Sequence, residues 1–129
     1  DNALTNVRLW PDDARRLIAA FPDASLARAI ILFPDPWPKR RQQKRRLVQP
    51  EFVSELVRVL APGARLRFAT DVASYADEAL LALLGNGALT WTATRADDWR
   101  RPPPDHVTTR YESKRLGDCD PVWYDLVRT

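Results

Sequence analysis

The sequence predicts an α/β domain built on a largely parallel sheet, and three observations carry that prediction. Apolar runs rich in β-branched residues alternate with stretches of helical periodicity. Prolines and glycines punctuate the joints between them. Acids follow the apolar runs directly, at Asp13, Asp35 and Asp71. Alternation of this kind is what parallel strands require, because each connection must travel back along the sheet before the next strand begins.

Each element has its own warrant. Asn6-Val7-Arg8-Leu9-Trp10 reads as a first strand. Pro11-Asp12-Asp13 then opens a helix, with acids where the helix dipole favours them, and Ala14, Leu17, Ile18 and Phe21 fall on one face. Residues 26–33 form a nearly continuous apolar run, the pattern of a strand covered on both faces. Pro50 begins a helix with Phe52, Val53, Leu56, Val57 and Leu60 as its apolar set, and Pro62-Gly63 stops it. Residues 65–70 alternate like a strand and deliver Asp71 at its end. Ser74 with Asp77 has the form of a capping box, ahead of a helix whose stripe is Ala76, Ala79, Leu80, Leu83 and Leu84. Gly85-Asn86-Gly87 is a turn, 89–94 a strand, 97–105 a proline-stiffened loop and 122–127 a final strand. The last two strands lack a helix between them, so they are expected to pair antiparallel.

Length and composition bound the function. A chain of 129 residues suffices for one domain with a real core, here taken as a single domain over 1–129. A charged content of 29% against 45% hydrophobic marks a soluble globular protein, and no run of about 18 apolar residues offers a membrane span. Cys119 is the sole cysteine, which excludes an intrachain disulfide and suits a reducing compartment. Net charge is +3 with a pI of about 9.4, and the excess is concentrated. Between 39 and 46 stand Lys39, Arg40, Arg41, Lys44, Arg45 and Arg46, six cations in eight residues that would attract phosphates.

That basic run adjoins Phe33-Pro34-Asp35-Pro36-Trp37-Pro38. Three prolines fix φ and remove backbone donors, so Asp35 is expected on a stiff irregular loop past a strand. In open α/β sheets ligands collect outside the C-terminal strand ends, where this topology gathers Asp13, Asp35 and Asp71. Taken singly, Asp13 also suits a helix cap and Asp71 a turn. Thr108 to Lys114 mixes hydroxyl, cation, aromatic and acid, a set that can grip a splayed-out base or form a polar strand edge. Trp91 and Trp123 suit the core and Trp37 a packing anchor. Other chemistries are discounted. His106, the one histidine, belongs in a polar surface loop, no Cys/His spacing fits zinc, and no phosphate-binding glycine loop is present.

Taken together, Leu32-Phe33-Pro34-Asp35-Pro36-Trp37-Pro38-Lys39, Lys44 through Phe52, Leu60-Ala61-Pro62-Gly63, Phe68-Ala69-Thr70-Asp71, Arg101-Pro102 and Thr109-Arg110-Tyr111-Glu112 resemble the bacterial tRNA (guanine-N7-)-methyltransferase family. The match runs in order over nearly the whole chain. The resemblance implies a partial class I methyltransferase (Rossmann-like) sheet, S-adenosylmethionine as cofactor, tRNA as partner and a cytoplasmic setting. It implies Asp35 as the catalytic-loop acid, also near the cofactor, and Asp13 as an acid of the adenosine pocket. Lys39, Asp71 and Thr109 to Glu112 match substrate-binding positions. The chain departs from the family in two ways. The glycine-rich cofactor loop has no counterpart, so the chain reads as the C-terminal part of such an enzyme, with an open sheet edge that would invite a homodimer. The family's Leu-Gly-His-Gly pattern is altered at Leu116-Gly117-Asp118-Cys119. The competing expectation is a non-enzymatic RNA-binding module in which the basic run supplies grip alone.

Overall fold

A computed structural model describes residues 4–129. Helix α1 (Ala14–Ala20) precedes strand β1 (Leu26–Leu32), and a 3-10 helix (Arg40–Arg45) leads into α2 (Pro50–Val59). Strand β2 (Leu60–Thr70), α3 (Ala73–Leu84) and β3 (Leu89–Trp91) follow. Two single-turn helices, α4 (Asp97–Arg100) and α5 (Arg110–Ser113), precede β4 (Val122–Arg128).

The four strands lie in the order β1-β2-β4-β3. β1 and β2 are parallel, while β4 runs antiparallel to both β2 and β3. Three strands therefore share one direction and the last strand opposes them, as expected. β4 inserts between β2 and β3, a placement that strand alternation does not encode.

Residues alternate between the two faces of the sheet, and the faces differ in kind. Leu66 and Phe68 on β2 and Tyr124 and Leu126 on β4 pair across the strands and are buried under α2 and α3. Phe52, Val53, Leu56 and Val57 of α2 and Tyr75, Ala76, Ala79 and Leu83 of α3 complete that core. On the opposite face Arg67 sits across from Asp125 and donates to it through Nε at 2.8 Å. Asp105, from the proline-rich segment, bridges Arg67 and Arg28 at 3.1 Å each. That face carries ion pairs and a covering segment with the single-turn α5 in place of long helices among the described residues.

Several expectations need correcting. Residues 6–10 are irregular, with Leu9 89% exposed, because no described strand lies beside them to complete a ladder. β1 is not covered on both faces. Ile30 is 49% exposed, since β1 is the sheet's edge and its outer neighbours are the arginines of the ion-paired face. Leu60 belongs to β2, not to α2. The chain turns directly from helix into strand, and Pro62-Gly63 is absorbed as a bulge in which β2 advances from Leu60 to Arg65 while β1 advances from Leu26 to Arg28. Gly63, at φ 83, supplies the left-handed residue that this bulge needs. Ser74 and Asp77 form no capping box. The N-cap is Val72, and the free Ala73 amide donates instead to Asp118 at 2.8 Å. β3 stops at Trp91 because Asp98 folds back to accept from the Thr94 amide at 2.9 Å, which starts α4 inside the expected loop.

Candidate active site

The site is built at the C-terminal ends of β1 and β2. Phe33 closes β1, its amide donating to the Ala69 carbonyl at 2.8 Å, and then turns with φ 51. Trp37 has φ 42. Left-handed backbone at two bulky aromatics costs roughly 1–3 kcal/mol each, so the surrounding contacts must impose it. Arg46 supplies the firmest such contact, donating from Nε to the Pro36 carbonyl at 2.7 Å. Asp35 is exposed on this braced loop. Among the described residues its carboxylate makes no hydrogen bond or ion pair.

Asp13 caps α1, accepting from the Arg15 amide at 2.9 Å, and this bond holds its carboxyl below the usual carboxylate value. Arg15 also donates to the Arg45 and Arg46 carbonyls at 3.1 and 3.2 Å. The start of α1 is thereby tied to the end of the basic segment. As a result Asp13, Ala14, Pro34, Asp35 and Leu47 share the wall of one shallow cavity of about 300 Å³. Sequence reasoning passed over Arg15, whose i+2 relation to the cap residue was the available signal.

Asp71 is 3% exposed at the end of β2. Its Oδ2 accepts from the Gly117 amide at 3.2 Å and its carbonyl from the Cys119 amide at 3.1 Å. A Cβ on Gly117 would overlap the Asp71 carbonyl oxygen and carboxylate, so no other residue fits there. Asp71, Thr108, Glu112, Arg115 and Gly117 line a cavity of about 560 Å³. Tyr111 packs against the start of the Asp35 loop. Its ring lies 5.4 Å from that of Phe33, and its phenol is pushed up by burial first and then by the charges of Asp71 and Asp35. Tyr111 thus feels the charges of both Asp71 and Asp35.

Thr109 and Glu112 make a true capping box on α5: the Thr109 hydroxyl accepts from the Glu112 amide and Glu112 accepts from the Thr109 amide. Glu112 also meets His106 Nε2 at 2.6 Å, and the imidazole stacks edge-on to Trp123 with ring centres 4.1 Å apart. The His106 side chain, 5% exposed, is thus buried rather than on the surface, because Glu112 meets one ring nitrogen and Trp123 covers the ring. Arg110 is exposed. The Cys119 thiol, half-buried, is pushed up first by burial and then by Asp118 and Asp71.

Lys39, Arg40, Arg41, Lys44 and Arg45 form an exposed ledge beside Asp35, and none pairs with a carboxylate among the described residues. The Arg45 guanidinium lies over the half-buried Trp37 ring at 5.2 Å. Arg46 does not belong to the ledge. It is 1% exposed, and its guanidinium is committed to Pro36, to Ser74 at 2.8 Å and to Glu78 at 3.1 Å, leaving nothing for a phosphate.

Residues 1–123 match the family described as "Putative methyltransferase". The chain is 70% identical over 123 residues to the tRNA (guanine-N(7)-)-methyltransferase of Hyphomonas neptunium (strain ATCC 15444), covering 95% of this chain and 56% of that one. It is 54% identical over 128 residues to the enzyme of the same name from Caulobacter sp. (strain K31), covering 99% and 56%. The chain thus spans about half the length of the curated relatives it matches. Among solved structures, a Thermus thermophilus protein described as a "Putative DNA Modification Methylase" superposes with a TM-score of 0.50 at 17% identity, over 91% of this chain and 53% of that one, in complex with S-adenosyl-L-methionine. A selenomethionine form of the same protein gives a TM-score of 0.54 at 19% identity, over 91% and 50%. At such identity the likeness concerns the fold.

Proposed function

Because this chain belongs to the family described as "Putative methyltransferase" and is 70% identical to part of a tRNA (guanine-N(7)-)-methyltransferase, we propose that it forms the catalytic half of an enzyme that methylates N7 of a guanine in tRNA. The observation that carries this reading is the uncommitted Asp35 carboxylate, on a loop braced by Arg46 and packed through Phe33 against Tyr111, flanked by five cations that are unpaired among the described residues.

Chemistry at N7 suits such a site. The atom already carries a free lone pair, so no proton need leave it, and the barrier is mainly one of alignment. Positive charge grows on the purine, and Asp35 stabilises it without acting as a general base. Asp71 keeps one carboxylate oxygen on Gly117, and the other, free of protein donors among the described residues, would accept from the guanine N–H edge. Lys39, Arg40, Arg41, Lys44 and Arg45 hold phosphates without reading sequence. Extracting the guanine from its stack costs about a few kcal/mol, which contacts with Thr109, Arg110, Tyr111 and Glu112 would offset.

The cavity between α1 and the Asp35 loop fits one end of S-adenosylmethionine. An ionised Asp13 would accept from an exocyclic amine, while Ala14 and Leu47 supply apolar walls for a ring. When bound, this cofactor supplies a methyl group made electrophilic by its sulfonium. Asp35 borders the same cavity and would stand at the cofactor's side of the reaction.

The deciding experiment is Asp35→Ala in the full-length enzyme, with labelled methyl transfer to tRNA measured beside tRNA affinity. Loss of transfer with affinity retained is expected, and unchanged transfer would refute the assignment. The exposed ledge by itself also favours a second reading, a non-enzymatic RNA-binding module. Separate titrations of tRNA and S-adenosylmethionine distinguish the two, since RNA binding without cofactor binding supports the module. Two subsidiary proposals are a cytoplasmic location, where tRNA is found, and a homodimer through the open edge of β1, which light scattering would test.

A further inference from the structure

Arg46 has a wiring that nothing in the proposed reaction yet uses. From Nε it holds the Pro36 carbonyl, next to Asp35, at 2.7 Å. From its other two nitrogens it holds Ser74 Oγ at 2.8 Å and Glu78 Oε1 at 3.1 Å, both on α3. Its guanidinium lies 4.9 Å from the centre of the Tyr75 ring, whose hydroxyl accepts from the Val48 amide at 3.1 Å. α3 begins two residues after Asp71. The planar fork of one arginine thus spans from the loop that carries Asp35 to the helix that follows Asp71.

We infer that Arg46 is a strut that sets the position of Asp35 relative to Asp71, and so acts as a positioning residue for methyl transfer rather than as an RNA contact. This inference rests on the function proposed above. Its physical basis is that an alignment-limited reaction is sensitive to displacement, with a misplacement of about 1 Å capable of costing on the order of 100-fold. A lysine retains the charge but carries its donors on one nitrogen, so it cannot reach acceptors that three separate guanidinium nitrogens reach in different directions. The two left-handed aromatics flanking Asp35 sharpen the demand, because a strained loop relaxes once its brace is removed.

The test compares Arg46→Lys with Arg41→Ala in the full-length enzyme. For Arg46→Lys, kcat at saturating tRNA and S-adenosylmethionine should fall by at least about 10-fold. Its tRNA Kd and the dependence of that Kd on salt should stay as in wild type. Arg41→Ala, on the exposed ledge, should instead weaken tRNA binding and flatten the salt dependence by about 0.9 in log–log slope, the signature of one lost phosphate contact. If Arg46→Lys flattens the salt slope while kcat holds, Arg46 is an RNA contact and the strut is overturned. Should Arg46→Lys fail to fold, the double variant Ser74→Ala/Glu78→Gln leaves the arginine in place and releases its far end. Reduced kcat with an unchanged salt slope supports the strut there, and unchanged kcat sinks it. Hydrogen exchange of a peptide spanning 33–39 gives a readout independent of turnover. Faster exchange in either variant supports the strut and wild-type protection overturns it, even if the wild-type enzyme proves to methylate no tRNA.

Discussion

Gly117 shows how much a single residue can decide. Its amide reaches the Asp71 carboxylate because it has no side chain, and a methyl group there would meet Asp71 backbone and side chain together. Gly117→Ala should therefore displace the 114–121 segment and lower the unfolding free energy by about 1–3 kcal/mol, the usual cost of overpacking. Gly87→Ala is the matched control. Nothing lies within 4 Å of its would-be Cβ and its φ is ordinary, so it should be neutral or stabilise by about 0.4–1 kcal/mol through the unfolded chain. Denaturant unfolding of both variants checks the contrast. Asp35 is the opposite kind of residue, exposed and bonded to nothing among the described residues, so its replacement should cost activity and almost no stability.

At the scale of the element, helix ends here are finished by unexpected partners. α3 borrows Asp118 from a segment 45 residues away, whereas α5, a single turn, has a complete capping box of its own. Thr109→Ala removes the hydroxyl that accepts from Glu112 and should cost about 1 kcal/mol, with faster hydrogen exchange confined to 110–113 and the neighbouring His106 contact. The basic segment divides in the same way by geometry. As a 3-10 helix it turns Arg40, Arg41, Lys44 and Arg45 outward, and the extended residue that ends it, Arg46, is drawn inward against Tyr75.

Across the whole molecule, stability should respond to pH at both extremes. Burial first, then the charges of Asp77 and Cys119, push the Tyr124 phenol from 10 up to about 12. Tyr75 and Tyr111 move the same way, burial again leading. A folded state that binds these protons more tightly has their contribution in full below pH 10 and loses it as the pH climbs toward 12. Tyrosinate absorbance recorded alongside circular dichroism should show ionisation and unfolding together in that window. On the acid side Asp13, Asp98 and Asp105 are held below 3.8, Asp105 chiefly by Arg28, so their contribution is present in full above that value and is lost as the pH falls below it through their lower folded values. Apart from the strand expected at residues 6–10 and the unforeseen 3-10 helix, α4 and α5, the main strands and helices, the Asp35 loop and the exposed cationic ledge could be read from the chain, because proline chemistry, periodicity and charge runs act locally. The insertion of β4 between β2 and β3, the inward turn of Arg46, the burial of His106 against Glu112 and Trp123, and the grip of Gly117 on Asp71 could not. Each depends on which distant residue arrives to share a hydrogen bond or exclude water, and such pairings exist only once the chain has closed upon itself.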